Sequence, residues 1–210
     1  MEKPVPATIQ KKRSVLLTGS NASGKSTFIK AAALNAILAQ TIHTVCAKSY
    51  QGAFFKVFTS MALTDNLFGN ESYYIVEIKS LKRILDALEE EIPVLCFVDE
   101  VLRGTNTIER IAASSRILYS VANVNALMFA ATHDIELTYM LENIFDNYHF
   151  EEQISGNEVI FDYELKSGRA TSQNAIALLG MLGYPEEIIQ NSKNAAKEFI
   201  DKGEWNAVTK

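Results

Sequence analysis

Residues 14–27 read SVLLTGSNASGKST: an apolar run, a glycine-bounded loop and the first turn of a helix. Ser14–Thr18 stops at a glycine, the pattern of a short buried strand. Gly19, Ser20, Asn21, Ala22, Ser23, Gly24, Lys25 and Ser26 satisfy G-x-x-x-x-G-K-[ST], and Thr27 follows. From Lys25 to about Gln40 the chain is rich in alanine and leucine and should be helical. Strand, loop and helix in that order make a phosphate cradle. Glycines let the backbone wrap so that several N–H groups point at one anion. The helix adds the positive end of its dipole. Lys25 would reach the outer phosphates of a nucleoside triphosphate, and the Ser26 hydroxyl would bind Mg²⁺.

Such a cradle needs an acid at the end of a neighbouring strand to hold the shell of the metal. Val94–Val98 (VLCFV) is wholly apolar, and Asp99 and Glu100 follow it. Asp99 is the candidate for the metal shell. Glu100 is placed to orient or polarise an attacking water. A third apolar run, Ala126–Ala131, ends in Thr132 and His133. His133 is placed to contact the terminal phosphate and report its loss, although a lone histidine after a strand is equally a plain surface group.

Working outward, Phe54–Ser60 is another strand-like run. Ile78, Leu81, Leu85, Leu88 and Ile92 step by three and four, so Ser72–Glu91 should be a helix, ended by Pro93. A further helix is expected from about Thr107 to Ala122. Phe145–Glu151 and Glu158–Leu165 flank a turn at Ser155, Gly156 and Asn157 and read as a hairpin. Two helices should lie before and after Gly183-Tyr184-Pro185. Strands alternating with helices predict an α/β fold with a mainly parallel sheet flanked by helices, plus a late β-hairpin and C-terminal helices. Residues 1–13 form a polar, proline-bearing lead-in, 14–202 the domain, and 203–210 a tail.

The chain has 210 residues, 48% of them apolar, enough for one sizeable core. With 20 basic and 25 acidic residues its net charge is −5. A domain that clamps nucleic acid by itself is usually basic, so DNA contact should belong to other parts of a longer protein. The most apolar long stretch, Ala31–Ala47, contains Asn35, Gln40 and His43 and is shorter than the roughly 20 residues of a membrane span. It reads as a buried helix. No secretory pattern follows Met1, and a cytoplasmic location is expected. Cys46 and Cys96 sit among apolar residues and should be buried, reduced thiols.

Taken in order, these motifs resemble the ATPase domain of the MutS family of DNA mismatch-repair proteins. LLTGSNASGKST (16–27) is similar to the family's P-loop, including asparagine at Asn21. FVDEVLRGTNT (97–107) resembles its acidic strand and Arg-Gly-Thr continuation. FAATHDIELT (129–138) is similar to its histidine-switch segment. LTDNLFGNESYYIVE (63–77) resembles its signature loop, and GRATSQNAIALLGMLGYPEEII (168–189) the segment after its last hairpin. The resemblance spans about Ser14–Phe199. It implies an ABC-ATPase-like P-loop NTPase that binds and hydrolyses ATP with Mg²⁺ at a dimer interface. It also implies that Ser72 of one subunit completes the site of the other, that Asn21 touches the terminal phosphate, and that Gln40 lies near the nucleotide. Ser72 equally fits an ordinary helix N-cap.

Two departures stand out. Gly69-Asn70-Glu71-Ser72 puts an acid where the family has a basic residue, which should weaken binding of a polyphosphate in trans. Ile108-Glu109-Arg110 stands where mismatch-repair members usually carry Phe-Asp-Gly. A divergent branch is expected, and a domain excised from a longer protein or a stand-alone fragment. The competing readings are an SMC- or transporter-type ATPase, against which no Leu-Ser-Gly-Gly signature is seen, and a nucleotide-binding dimerisation module with little hydrolysis.

Overall fold

The computed structural model describes residues 13–20, 23–61, 72–88, 92–122, 125–155, 158–170 and 174–207. Asn21, Ala22 and residues 62–71 of the expected signature loop lie outside the described residues. So do the lead-in up to residue 12, residues 171–173 and the end of the tail. The chain forms two compact units.

The larger unit runs through Glu151 and includes Tyr163–Ala170. Its elements in chain order are β1 (Ser14–Thr18), α1 (Lys25–Thr41), β2 (Lys56–Ser60), α2 (Tyr73–Ala87), β3 (Val94–Asp99), α3 (Thr107–Ala122), β4 (Ala126–Ala131), α4 (Ile135–Met140) and β5 (Phe145–His149). The smaller unit follows with β6 (Glu152–Ser155) and β7 (Glu158–Phe161); β8 (Lys166–Ser167) returns to the larger one. The main sheet has the order β2-β3-β4-β1-β5-β8. All its neighbours pair in parallel except β5 and β8. This is a mixed α/β fold with a largely parallel sheet.

Successive side chains of a strand point to opposite faces, and here both faces are covered. Val15, Leu17, Leu95, Phe97, Phe129 and Ala131 meet Ile29, Ala33 and Ala36 of α1. The two alanines let α1 approach closely. On the other face Leu16, Cys96, Val98, Met128 and Ala130 meet Leu81 and Ile84 of α2, Leu118 and Val121 of α3, and Leu137 of α4. Full burial of a side chain such as Ile29 stabilises by about 1.5–3 kcal/mol relative to exposure. In the smaller unit β6 and β7 pair antiparallel, from Glu152↔Phe161 to Ser155↔Glu158. Its helices are α5 (Ala175–Met181) and α6 (Glu186–Lys202), which ends at Gly203 in the left-handed conformation that favours glycine.

Several expectations need correction. Phe145–Glu151 is not a hairpin arm: β5 lies along β1 in parallel register, Ser14↔Phe145 to Thr18↔His149. The hairpin is the shorter β6–β7 pair. Without β5 one side of the buried β1 backbone would lose its partners, a cost that local turn signals do not reveal. Ala31–Ala47 is not a buried helix either. α1 ends at Thr41, and Leu34, Ile37 and Ile42 are exposed. Cys96 is buried but Cys46 is exposed, because the chain beyond α1 runs over the surface, where the Cys46 N–H donates to Asn35 Oδ1 at 2.6 Å. The inward stripe of α2 is Glu77, Ser80, Leu81, Ile84 and Ala87, with Ile78 turned outward.

Candidate functional site

The carboxyl ends of the central strands are laced together. The Thr132 N–H donates to Leu17 O at 2.9 Å, the Glu100 N–H to Ala131 O at 3.0 Å, and the Phe150 N–H to Thr18 O at 3.0 Å. The segments after β1, β3, β4 and β5 therefore leave one edge of the sheet, where open parallel sheets hold their ligands.

The loop after β1 is shaped by its glycines. Gly19 has φ 140°, and a Cβ there would lie 2.4 Å from Phe150 O. Gly24, with φ 109°, is the N-cap of α1. Its N-cap makes no side-chain capping hydrogen bond and no acid stands in its first turn, so the positive end of the helix is not offset by a local carboxylate. Lys25 is only 5% exposed. Its Nζ donates to Gly19 O at 2.8 Å and Ser20 O at 2.7 Å, so an entering anion must draw it off its own loop. Ser23 Oγ is buried with no hydrogen-bond partner. Ser26 and Thr27 lie on the first turn of α1, with Ser26 half-buried. Tyr163 was missed by sequence reasoning. Its ring edge would lie 3.3 Å from a Cβ on Gly24, and the residue is 49% exposed. It enters from a segment remote in sequence, with no motif to mark it.

Asp99 closes β3, and its Oδ1 is buried without a hydrogen-bond partner. Glu100 has φ 59°, a left-handed conformation costing a non-glycine residue about 1–2 kcal/mol. Such strain persists only where the surroundings hold it. One carboxylate oxygen meets His133 Nε2 at 3.0 Å and the other meets Arg103 Nη1 at 3.0 Å. The two catalytic candidates from separate strands are thus in contact, and Arg103, not singled out in the sequence, joins them. The segment bearing His133 is braced from behind. Arg110 Nε and Nη2 bond the Asp134 carboxylate at 2.8 and 2.5 Å. The Asp134 N–H also donates to Thr132 Oγ1 at 3.0 Å. Arg110 is itself fixed by the start of α3, where Asn106 Oδ1 accepts the Glu109 N–H at 3.0 Å and Asn106 Nδ2 donates to Glu109 Oε2 at 2.6 Å. The Ile108-Glu109-Arg110 departure therefore has a structural use.

Residues 15–200 match the family described as MutS domain V. The chain belongs to the MutS family. Similar proteins include DNA mismatch repair protein MutS 2 of Haloarcula marismortui, 34% identical over 90% of the chain and 20% of that protein. Another is DNA mismatch repair protein MSH3 of Phaeosphaeria nodorum, 32% identical over 89% of the chain and 17% of that protein. The chain thus spans about a fifth of the length of these relatives.

In this MutS-family domain Ser72 is exposed at the head of α2, and its hydroxyl makes no capping hydrogen bond. The helix is entered without that hydroxyl, which leaves it available. Gln40 sits elsewhere. It lies fifteen residues along α1 from Lys25, about 22 Å at 1.5 Å per residue. Its Oε1 accepts the Phe55 N–H at 2.5 Å, beside a cleft of about 390 Å³ lined by His43, Tyr50 and Phe54. The structure does not bring it to the cradle. Among the described residues no cluster of three His, Cys, Asp or Glu side chains is gathered to hold a metal. Mg²⁺ does not need one, since it keeps waters and takes one or two carboxylates plus substrate phosphates. The oxygen donors of Ser26 and Asp99 fit that ion, and the unpartnered Asp99 Oδ1 is a ready acceptor.

Proposed function

We propose that this domain binds ATP with Mg²⁺ and hydrolyses it at a dimer interface. Nucleotide state would be coupled to DNA engagement by other domains of a longer protein, in mismatch repair or related DNA maintenance. The observation that carries this reading is the 3.0 Å contact between Glu100 and His133 at the sheet edge that also bears the Lys25 loop. A carboxylate able to order water and a second polar group able to sense phosphate stand together beside a phosphate cradle.

The roles follow from position. Backbone N–H groups of Gly19, Ser20 and Ser23–Ser26 and the start of α1 would receive the phosphates; for Asn21 the family resemblance, not its position, suggests contact with the terminal one. Lys25 exchanges the carbonyls of Gly19 and Ser20 for phosphate oxygens. Ser26 and Asp99 would hold Mg²⁺, whose charge would offset that of the outer phosphates. Glu100 orients water and takes its proton, while His133 steadies Glu100 and faces the phosphate. Ring stacking on Tyr163 would hold the base. Ser72 of a second copy would supply its hydroxyl and helix start to the outward face of the terminal phosphate. An ATPase of this kind working on DNA fits a cytoplasmic setting, and no described helix is long and apolar enough to cross a membrane.

One observation favours a dimerisation module with little turnover: both oxygens of Glu100 are engaged, by His133 and Arg103. Measuring Mg-ATP affinity and phosphate release together separates the two readings. Wild type should bind and turn over, and Lys25→Ala should lose tight binding while melting cooperatively. Equal ATP affinity in the two proteins would remove the phosphate cradle from the account.

A further inference from the structure

Glu77 is a buried carboxylate with no part in the reaction described above. It is 1% exposed, on the inward face of α2, one turn and a half beyond Ser72. Burying a carboxylate is costly unless something answers its charge. No described cation does so: the nearby guanidinium of Arg103 is spent on Glu100. What faces Glu77 is backbone. Its Oε1 accepts the Arg103 N–H at 3.3 Å, and its Oε2 is buried without a partner. The backbone N–H groups of Leu102 and Gly104 also favour its charged form, against the larger opposing effect of burial. Leu102 has φ 56°, and a left-handed residue of this kind turns successive N–H groups to one side, where an anion can sit. The same loop is pressed on α2 from beside Glu77. A Cβ on Gly104 would lie 2.9 Å from Tyr74 Cβ.

We propose that Glu77 is a positioning residue that locks the loop carrying Glu100 and Arg103 to the helix that begins at Ser72. Engagement of Ser72 by a second copy of the chain is then transmitted to the water-ordering carboxylate. The route is continuous: α2, Glu77, the Arg103 backbone, the Arg103 side chain on Glu100, and Glu100 on His133. This deepens the ATPase reading and rests on it. It also gives a physical reason for a buried, unneutralised acid. An apolar side chain would bury no charge there but would leave the Arg103 N–H without its acceptor.

Two substitutions divide gripping from filling. Glu77→Met keeps the volume and removes the acceptor. Glu77→Gln keeps an acceptor and removes the charge. Amide hydrogen exchange at residues 101–104 and steady-state ATP turnover are measured on both, with thermal melting as the check on folding. In Glu77→Met, exchange of the loop amides should rise about fivefold, the worth of one hydrogen bond. Its kcat should fall about tenfold, as displaced catalytic groups do, with KM for ATP unchanged. Glu77→Gln should stay within about twofold of wild type in both. Gly104→Ala, which pries the same contact from the other side, should reproduce the Glu77→Met pattern, and it stands in if Glu77→Met does not fold. Unchanged loop exchange in Glu77→Met, or equal damage in Glu77→Gln and Glu77→Met, overturns the proposal. The exchange readout needs no ATP. It therefore separates failure of this linkage from failure of the ATPase reading, in which wild type itself shows no Lys25-dependent turnover.

Discussion

Replacing Gly19 by alanine should damage both the fold and nucleotide affinity, and the size of the effect follows from the geometry. The added Cβ would stand 2.4 Å from Phe150 O. An unstrained carbon–oxygen contact needs about 3.3 Å, so roughly 0.9 Å must be found. Phe150 cannot easily yield, because its own N–H is bonded to Thr18 O at 3.0 Å, at the end of the β1–β5 pairing. The other neighbour, Ser23 Oγ at 3.0 Å, can rotate away. Overpacking of this kind costs about 1–3 kcal/mol. A φ of 140° adds backbone strain for any L side chain, again about 1–3 kcal/mol. The sum is about 2–6 kcal/mol, and at about 2–4 °C per kcal/mol for a chain of this size the melting temperature should fall on the order of 10 °C. Two companions isolate the causes. Gly168→Ala has φ 98° and nothing within 4 Å of its Cβ, so it measures strain alone. Gly24→Ala has φ 109° and meets the Tyr163 ring at 3.3 Å, which can turn aside, and the Phe150 ring at an ordinary 4.0 Å, so it adds little crowding to the strain. Thermal unfolding should rank Gly19→Ala well below the other two, and ATP titration should show weakened binding in Gly19→Ala and not in Gly168→Ala. If Gly19→Ala melts with Gly168→Ala and keeps wild-type affinity, the close approach of the cradle to Phe150 is wrong.

Other outcomes follow from the same structure. Burial holds the Glu77 carboxyl above its ordinary range, partly opposed by backbone N–H groups. Below the unfolded pKa the group is protonated in both states; as pH rises through its folded pKa the buried charge forms and this contribution to stability is lost. Glu77→Gln should therefore gain stability relative to wild type between acid and neutral pH in urea unfolding, and a difference that does not change with pH would refute the assignment. Hydrolysis should depend on dimerisation, so specific activity should rise with protein concentration. An excess of Lys25→Ala subunits, with Ser72 intact, should restore activity to Ser72→Ala subunits, whose cradle is intact. Flat activity on dilution together with no complementation would place each site within one subunit.

The parts of the fold that carry local signatures were legible in the sequence. The glycine-bounded loop lies between strand and helix as its pattern requires, and the apolar runs Val94–Val98 and Ala126–Ala131 run through the sheet in β3 and β4. What escaped was set by partners distant in sequence. β5 belongs beside β1, a pairing separated by more than a hundred residues and marked by no turn. The exposed Leu34 and Ile37 defeat a reading of α1 by hydrophobicity alone, since the buried apolar stripe is Ile29, Ala33 and Ala36, with Phe28 and Ala32 beside it. Around the candidate site, the placement of Asp99 and Glu100 at the end of β3 and of His133 just past β4 was legible because an apolar run ends before each. Arg103, Arg110 and Glu77 were not, because their importance lies in which backbone or carboxylate they meet after folding.

The most direct test of the central claim is ATP binding and single-turnover hydrolysis by Glu100→Gln in the presence of Mg²⁺. The substitution keeps the shape that meets His133 and Arg103 and removes the carboxylate proposed to take the proton from water. The account predicts wild-type ATP affinity with hydrolysis slowed on the order of a hundredfold, the usual effect of losing a positioned base. Hydrolysis at the wild-type rate in Glu100→Gln would contradict it and move the proton acceptor away from the end of β3.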